Sequence, residues 1–266
     1  MDKDTNWKTY TDSNIVKYYS QLSQIQPAEE TIIKRFQQQL STMTMLDIGV
    51  GGGRTTKYFS NVVKKYIGID YSPEMIEACK KQFFHANNTI LFKVCDARDL
   101  SQFEDNSFDF ILFSFNGIDY ISHNERLQVF QEIRRVGKSG GYFFFSTHNL
   151  QGIEQEFNWK KHLSFNPFMT YVNLVMLAFL RFFNPSISYH QLKSNNYAIL
   201  KDESHHFRLK TYYIRPYEQI KQLEPYFSHI QVYSWKYGHE ITQETELISN
   251  SEMWLYYLCF IDKDSD

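Results

Sequence analysis

The sequence predicts an α/β fold in which a mostly parallel sheet carries helices on both faces. Three observations predict it. An apolar run from Met43 to Ile48 breaks into a glycine-rich turn, and a helix-compatible stretch follows. Strand-like and helix-like segments then alternate over residues 65–147, the pattern of parallel strands joined by crossover helices. The segment Phe108–Phe115 is almost continuously apolar, as a central parallel strand buried on both faces has to be.

Residues 1–40 read as helical. Ile15, Tyr18, Tyr19 and Leu22 fall at helical spacing. Pro27-Ala28-Glu29-Glu30 opens a further helix, with proline in the first turn and acids near the positive end. The first strand, Met43–Ile48, enters Gly49-Val50-Gly51-Gly52-Gly53, where glycines let the turn tighten and the backbone approach a ligand. A helix over Arg54–Val63 is expected next. The second strand, Lys65–Ile69, ends at Asp70, 21 residues after Gly49. At that spacing an acid takes the two hydroxyls of a ribose. Ser72 suits an N-cap, Pro73 the first helical position and Glu74 the positive helix end, for a helix to about Phe84. Ile90–Val94 is the third strand and runs into Cys95-Asp96-Ala97-Arg98-Asp99. The fourth, Phe108–Phe115, exits through Asn116-Gly117. A helix over Asn124–Val136 leads to the fifth strand, Tyr142–Thr147, which ends in His148-Asn149. The glycine turn, Asp70, Asp96, Asn116 and His148 all fall at strand C-termini, where open parallel sheets bind ligands.

The pattern G-x-G-x-x-G of dinucleotide sites fails, because Arg54 stands at its last position. What stands here is Asp47-x-Gly49-x-Gly51-x-Gly53, followed by Asp70-x-Ser72-x-x-Met75-Ile76. The chain resembles the class I S-adenosylmethionine (SAM) dependent methyltransferases in these two motifs. The likeness is strong over 43–149, loose over 211–262 and absent from 150–210. It implies a Rossmann-like, seven-stranded, mostly parallel sheet and SAM as cofactor. Gly49, Gly51 and Gly53 then form the cofactor loop, and Asp47 suits the cationic part of SAM. Asp70 takes the ribose, flanked by Tyr71 and Met75. Asp96, with Ala97, is expected to accept from the adenine amino group. Phe113, Ser114 and Asn116 lie beside the methionine part. The N-terminal helices cover the site, with Tyr18 or Tyr19 reaching the ligand.

Three regions are expected: N-terminal helices and SAM-binding core over 1–149, an inserted aromatic-rich cap over 150–210, and a helix with closing antiparallel strands over 211–266. Within the insertion, Phe168–Phe183 is an apolar 16-residue helix interrupted by Asn173 and Arg181. A membrane span needs about 20 predominantly apolar residues, so no integral span is expected. A lid over an apolar acceptor, a homodimer contact, and a core or membrane-surface helix stay open as its role. Ser186–Arg208 reads as a further hairpin of the cap.

The net charge of −2 and the absence of a basic stripe argue against a nucleic-acid partner. The motif Asn-Pro-Pro-Tyr, found after the fourth strand in amino-directed nucleic-acid methyltransferases, is replaced by Ser114-Phe115-Asn116-Gly117. Three widely spaced cysteines, Cys79, Cys95 and Cys259, read as reduced thiols of a cytoplasmic protein. The polar start, Met1-Asp2-Lys3-Asp4, shows no secretory signal, and no metal site is expected. With 23 Phe, 19 Tyr and 4 Trp there is enough aromatic surface to line an apolar acceptor pocket.

The chemistry implied by the resemblance is in-line displacement, in which a nucleophile of the acceptor attacks the methyl of SAM and S-adenosylhomocysteine leaves. Proximity and alignment supply about 7–11 kcal/mol in such reactions. A base is needed only when the attacking atom must shed a proton. His148 is the first candidate, with His123 and Asp119 next, and His205 and His206 approaching from the insertion. The expected acceptor is a small, partly apolar molecule methylated on O or N. A peptide or protein substrate, or SAM binding without transfer, are the alternatives.

Overall fold

The computed structural model describes residues 3–85 and 89–263. Two short helices, α1 (Lys3–Tyr10) and α2 (Ser13–Gln21), precede α3 (Pro27–Leu40). Asp12 caps α2 by accepting from the N–H groups of Asn14 and Ile15. At the start of α3 the Gln26 N–H donates to Glu29 at 2.8 Å. There follow β1 (Thr44–Ile48), α4 (Thr56–Phe59), β2 (Lys65–Asp70), α5 (Pro73–Gln82), β3 (Ile90–Val94), β4 (Phe108–Phe113), α6 (His123–Val136) and β5 (Gly137–Asn149). The inserted region holds α7 (Leu150–Glu156), α8 (Pro167–Phe183), α9 (Tyr189–Ser194) and β6 (Tyr197–Leu200). The chain closes with β7 (Thr211–Ile214), α10 (Pro216–Leu223), β8 (Ser228–Ser234), α11 (Glu244–Ser249) and β9 (Trp254–Ile261).

Strands β3, β2, β1, β4 and β5 lie side by side in that order, all parallel. β9 pairs antiparallel to β5 from Gly141 to His148, and β8 pairs antiparallel to β9. These are the seven strands of the expected Rossmann-like sheet. Two more join it. β4 stops opposite Phe145, but β5 runs on, and its last residues, His148 and Asn149, pair with β7. His148 also pairs with Trp254 of β9, so β7 occupies the edge that β4 has left. β6 pairs antiparallel to β7, so the hairpin expected within 186–208 draws its second strand from beyond residue 210.

The helix expected over Arg54–Val63 shortens to the single turn of α4, because Arg54 and Thr55 turn back toward Glu29 and Asp47. The polar loop before β9 contains α11.

Alternation along the strands sorts the core into two faces. Met45, Tyr66, Phe110 and Phe144 pack with Ile32 and Phe36 of α3, Phe59 of α4 and Ile76 of α5. Their neighbours Leu46, Ile67, Ile111 and Phe143 pack with Phe130 and Ile133 of α6 and Leu223 of α10. A third cluster joins α7, α8, α9, β6 and β7 around Phe157, Leu180, Leu192 and Tyr213. In α8 only Leu177 and Leu180 are buried. No helix among the described residues is long and apolar enough to cross a membrane.

Candidate functional site

A cavity of about 630 Å³ opens at the C-terminal ends of β1, β2, β3 and β4. Asp47, Gly49, Gly51, Asp70, Tyr71, Met75, Asp96, Ala97, Phe113, Ser114 and Tyr19 all line it, so eleven residues singled out from the sequence meet around one cavity. Gly53, Asn116, Tyr18, Asp119, His123 and His148 do not reach it. Gly53 faces away, since a Cβ there would meet the Phe83 ring of the loop after α5 at 2.5 Å.

The glycine turn is shaped by its backbone. Gly51 has φ +54°, a left-handed conformation that costs glycine least. This turn aims its N–H at Asp70 Oδ2, 3.0 Å away. The N–H of Ser72 donates to the other oxygen at 2.9 Å. Burial pushes the Asp70 carboxyl up to about 6, against the lowering effect of these N–H bonds. Asp47 is buried beneath the turn and accepts from the hydroxyls of Thr55 (2.5 Å) and Tyr66. Burial pushes it up to about 7, opposed by both hydroxyls and by nearby Arg54. The expected contact of Asp47 with a cationic group therefore competes with two internal donors.

Asp96 is held by its own turn. Arg98 donates to it from backbone N–H and Nε, both at 2.9 Å, and from a second guanidinium nitrogen. Arg98 also bridges to Glu125 of α6 at 2.9 Å. That ties the turn after β3 to the first turn of α6.

The outer wall comes from the N-terminus. Asn6, Trp7 and Tyr10 of α1, Tyr19 of α2 and Leu22 line the cavity. Tyr10 touches Tyr19, Tyr71 and Tyr120 edge-on at 5.6–6.0 Å between ring centres. Tyr71 donates its hydroxyl to the Asn6 carbonyl at 3.0 Å. Burial pushes the Tyr19 phenol up to about 12. Tyr18 is 58% exposed and points elsewhere. α2 lies so close that a Cβ on Gly52 would sit 2.4 Å from the backbone of Ser20. The expectation that the N-terminal helices cover the site named Tyr19 but missed Trp7 and Tyr10, whose i, i+3 spacing on a helix was the available sign.

One buried cluster has no local signature. Glu29 of α3 accepts from both terminal nitrogens of Arg54, at 2.6 and 2.7 Å. Ser114 donates to Glu29 as well, and Tyr256 of β9 donates to it at 3.3 Å. Arg54 also stands 4.9 Å above the Phe115 ring. This bidentate pair fastens α3 to the glycine turn and to the end of β4.

Behind the cavity, His148 and Asp119 form a second buried cluster. Asp119 Oδ2 accepts from the His148 backbone N–H and pairs with His148 Nδ1, both at 2.7 Å. Arg126 of α6 and the Thr147 hydroxyl hold the other oxygen at 2.7 and 2.5 Å. With Nδ1 bonded to a carboxylate, Nε2 is the acceptor nitrogen, and it lies 3.4 Å from Asn116 Nδ2. Asn116 Oδ1 is buried without a partner. Asp119 thus holds His148 through both its backbone N–H and its ring. His123 does not line the cavity and stands beside Tyr212, whose ring lies against Arg126. It bonds the Tyr212 hydroxyl at 2.8 Å and stacks on Tyr197, 4.4 Å between ring centres. The side chain of His205 lies outside the described residues, and among the described residues none of 150–210 lines the cavity.

Residues 46–145 match the family described as "Methyltransferase domain". Phosphoethanolamine N-methyltransferase 2 of Caenorhabditis elegans is 33% identical over 135 residues, which are 50% of this chain and 30% of that protein. The ubiquinone biosynthesis O-methyltransferase of Hydrogenovibrio crunogenus is 23% identical over 131 residues, 49% of this chain and 53% of that one. The chain thus spans about half or less of the curated relatives it matches. Among solved structures, a Burkholderia thailandensis 1,6-didemethyltoxoflavin-N1-methyltransferase, bound to 1,6-didemethyltoxoflavin and S-adenosylhomocysteine, shares the fold. Its TM-score is 0.57 at 13% identity, over 98% of this chain and 87% of that one.

Proposed function

We propose that this chain, whose residues 46–145 match the methyltransferase domain, is a class I SAM-dependent methyltransferase that transfers a methyl group to O or N of a small, partly apolar acceptor. The observation that carries this reading is the convergence of Asp70, the glycine turn and the tyrosine wall on one cavity. Its volume of about 630 Å³ lies in the range of sites for small ligands. The residues present fit SAM. Asp70 is aimed at the position a ribose would take, and Asp96 stands at the edge where adenine would lie. The aromatic wall excludes water from the space between them. When bound, SAM supplies the methyl carbon on which displacement occurs.

This chain's own residues do the rest. The turn over Gly49–Gly53 and the wall of Trp7, Tyr10 and Tyr19 fix the donor and shut out water. His148 is the base of this reading, with Asp119 fixing its tautomer and leaving Nε2 to take a proton. It sits behind Asn116, 8% exposed, so an acceptor must reach it past the Asn116–Gly117 exit of β4. General bases of this kind contribute about 10²–10⁴ in rate. The formal charge of −2 supports an acceptor other than a nucleic acid. Three free, buried cysteines support a reducing compartment, the cytoplasm.

Transfer of labelled methyl from SAM to a panel of small phenols and amines tests the proposal. The expected result is SAM-dependent labelling of some panel members, reduced at least about a hundredfold in His148→Ala with SAM affinity retained. Failure of the wild type to bind SAM or S-adenosylhomocysteine would overturn it.

A further inference from the structure

Helix α8 is an apolar helix that the fold leaves almost bare. Of its 17 residues only Leu177 and Leu180 are buried. Phe168, Tyr171 and Phe182 are each two-thirds or more exposed, and Phe179 about half. Just before it, Phe165 is fully exposed, and Trp159 and Leu163 are more than half exposed. A soluble surface rarely shows so large a contiguous apolar patch unless something covers it.

The charges around the patch say what covers it. The 45 residues from Phe157 to Lys201 contain no Asp or Glu, in a chain that has 30 of them. The same stretch carries Lys160, Lys161, Arg181, Lys193 and Lys201. Lys160 and Lys161 are exposed and sit in the short helical turn Trp159–His162, which packs against α8. Exposed Phe, Trp and Tyr together with lysines and no acids is the surface chemistry of a helix lying in a lipid headgroup layer. A second copy of this chain would bring like charge against like, and a nucleic acid would gain nothing from the aromatic face. Spanning is excluded by length, since 17 residues fall short of the about 20 that a bilayer core requires.

We propose that α8, with the turn Trp159–His162, is a docking face for an anionic lipid bilayer, lying flat in the interface with Phe165, Phe168 and Phe182 inserted and Lys160 and Lys161 against the headgroups. The proposal does not rest on the methyltransferase reading, since no residue of α8 lines the cavity.

Flotation of the full chain with two kinds of vesicle tests it: phosphatidylcholine alone, and phosphatidylcholine mixed with phosphatidylglycerol. The expected result is binding to the anionic vesicles, at least about tenfold weaker to neutral ones and reduced by about tenfold or more in Lys160→Glu/Lys161→Glu. Phe168→Ser/Phe182→Ser should lose binding to both kinds of vesicle. These side chains are exposed, so an unchanged thermal unfolding profile and unchanged S-adenosylhomocysteine affinity separate lost docking from lost fold. Absence of the wild type from floated vesicles of either composition would overturn the proposal. So would equal binding to the two compositions, or a concentration-dependent dimer that Phe168→Ser/Phe182→Ser abolishes.

Discussion

Asp70 receives two backbone N–H groups, from Gly51 and Ser72, and so has its carboxylate aimed before any ligand arrives. Removing it takes away a charged acceptor worth about 1.5–3 kcal/mol per bond. Calorimetry on Asp70→Ala should therefore show S-adenosylhomocysteine affinity falling by about ten- to a hundredfold, with the enthalpy reduced. Asp47 offers a different test. Its carboxyl is raised from 3.8 to about 7 by burial, so the folded chain holds a proton that the unfolded chain has released. Folding is then favoured at low pH, and stability falls as pH rises between those two values. Asp47→Asn keeps an oxygen for Thr55 and Tyr66 but carries no charge. Urea unfolding should show it stabilised at pH 8 by on the order of 2 kcal/mol, and little changed at about pH 4. Equal slopes of stability against pH for both proteins would refute the assignment.

At the scale of elements, α3 is fastened to the glycine turn through Glu29 and Arg54, which are 0% and 7% exposed. Breaking such a pair strands a buried charge, and the loss is commonly about 3–5 kcal/mol. Arg54→Met should lower the midpoint of thermal unfolding sharply. The double substitution Glu29→Gln/Arg54→Met should recover part of that loss, because no charge is then left unpaired. Thermal denaturation of Arg54→Met, Glu29→Gln, the double variant and wild type closes the cycle. The strands themselves were legible because their ends are punctuated: glycines after β1, Asp70 after β2, Asp96 after β3. α4 was overestimated for a reason that no local pattern records, since Arg54 and Thr55 spend their hydrogen bonds on Glu29 and Asp47.

At the scale of the whole molecule, the sheet and the cavity wall were readable, and the long-range pairings were not. Glu29 meets Arg54, and Asp119 meets His148, across 25 and 29 positions of chain. His148 was expected to face the acceptor directly. It lies behind Asn116 because β5 continues past β4 and is claimed on both edges, by β7 and β9. The aromatic surplus divides between the core, the tyrosine wall and the bare face of α8, and composition alone does not apportion it. The tyrosine wall also sets a clock. α1 and α2 wall the cavity on its outer side, with no α2 side chain fully buried, so a product leaving that way has to part the ring contacts of Tyr10. Those ring contacts then add to the grip of Asp70 in setting residence time. Stopped-flow displacement of S-adenosylhomocysteine from Tyr10→Ala should be about tenfold faster than from wild type, and turnover would rise with it wherever release is the slow step.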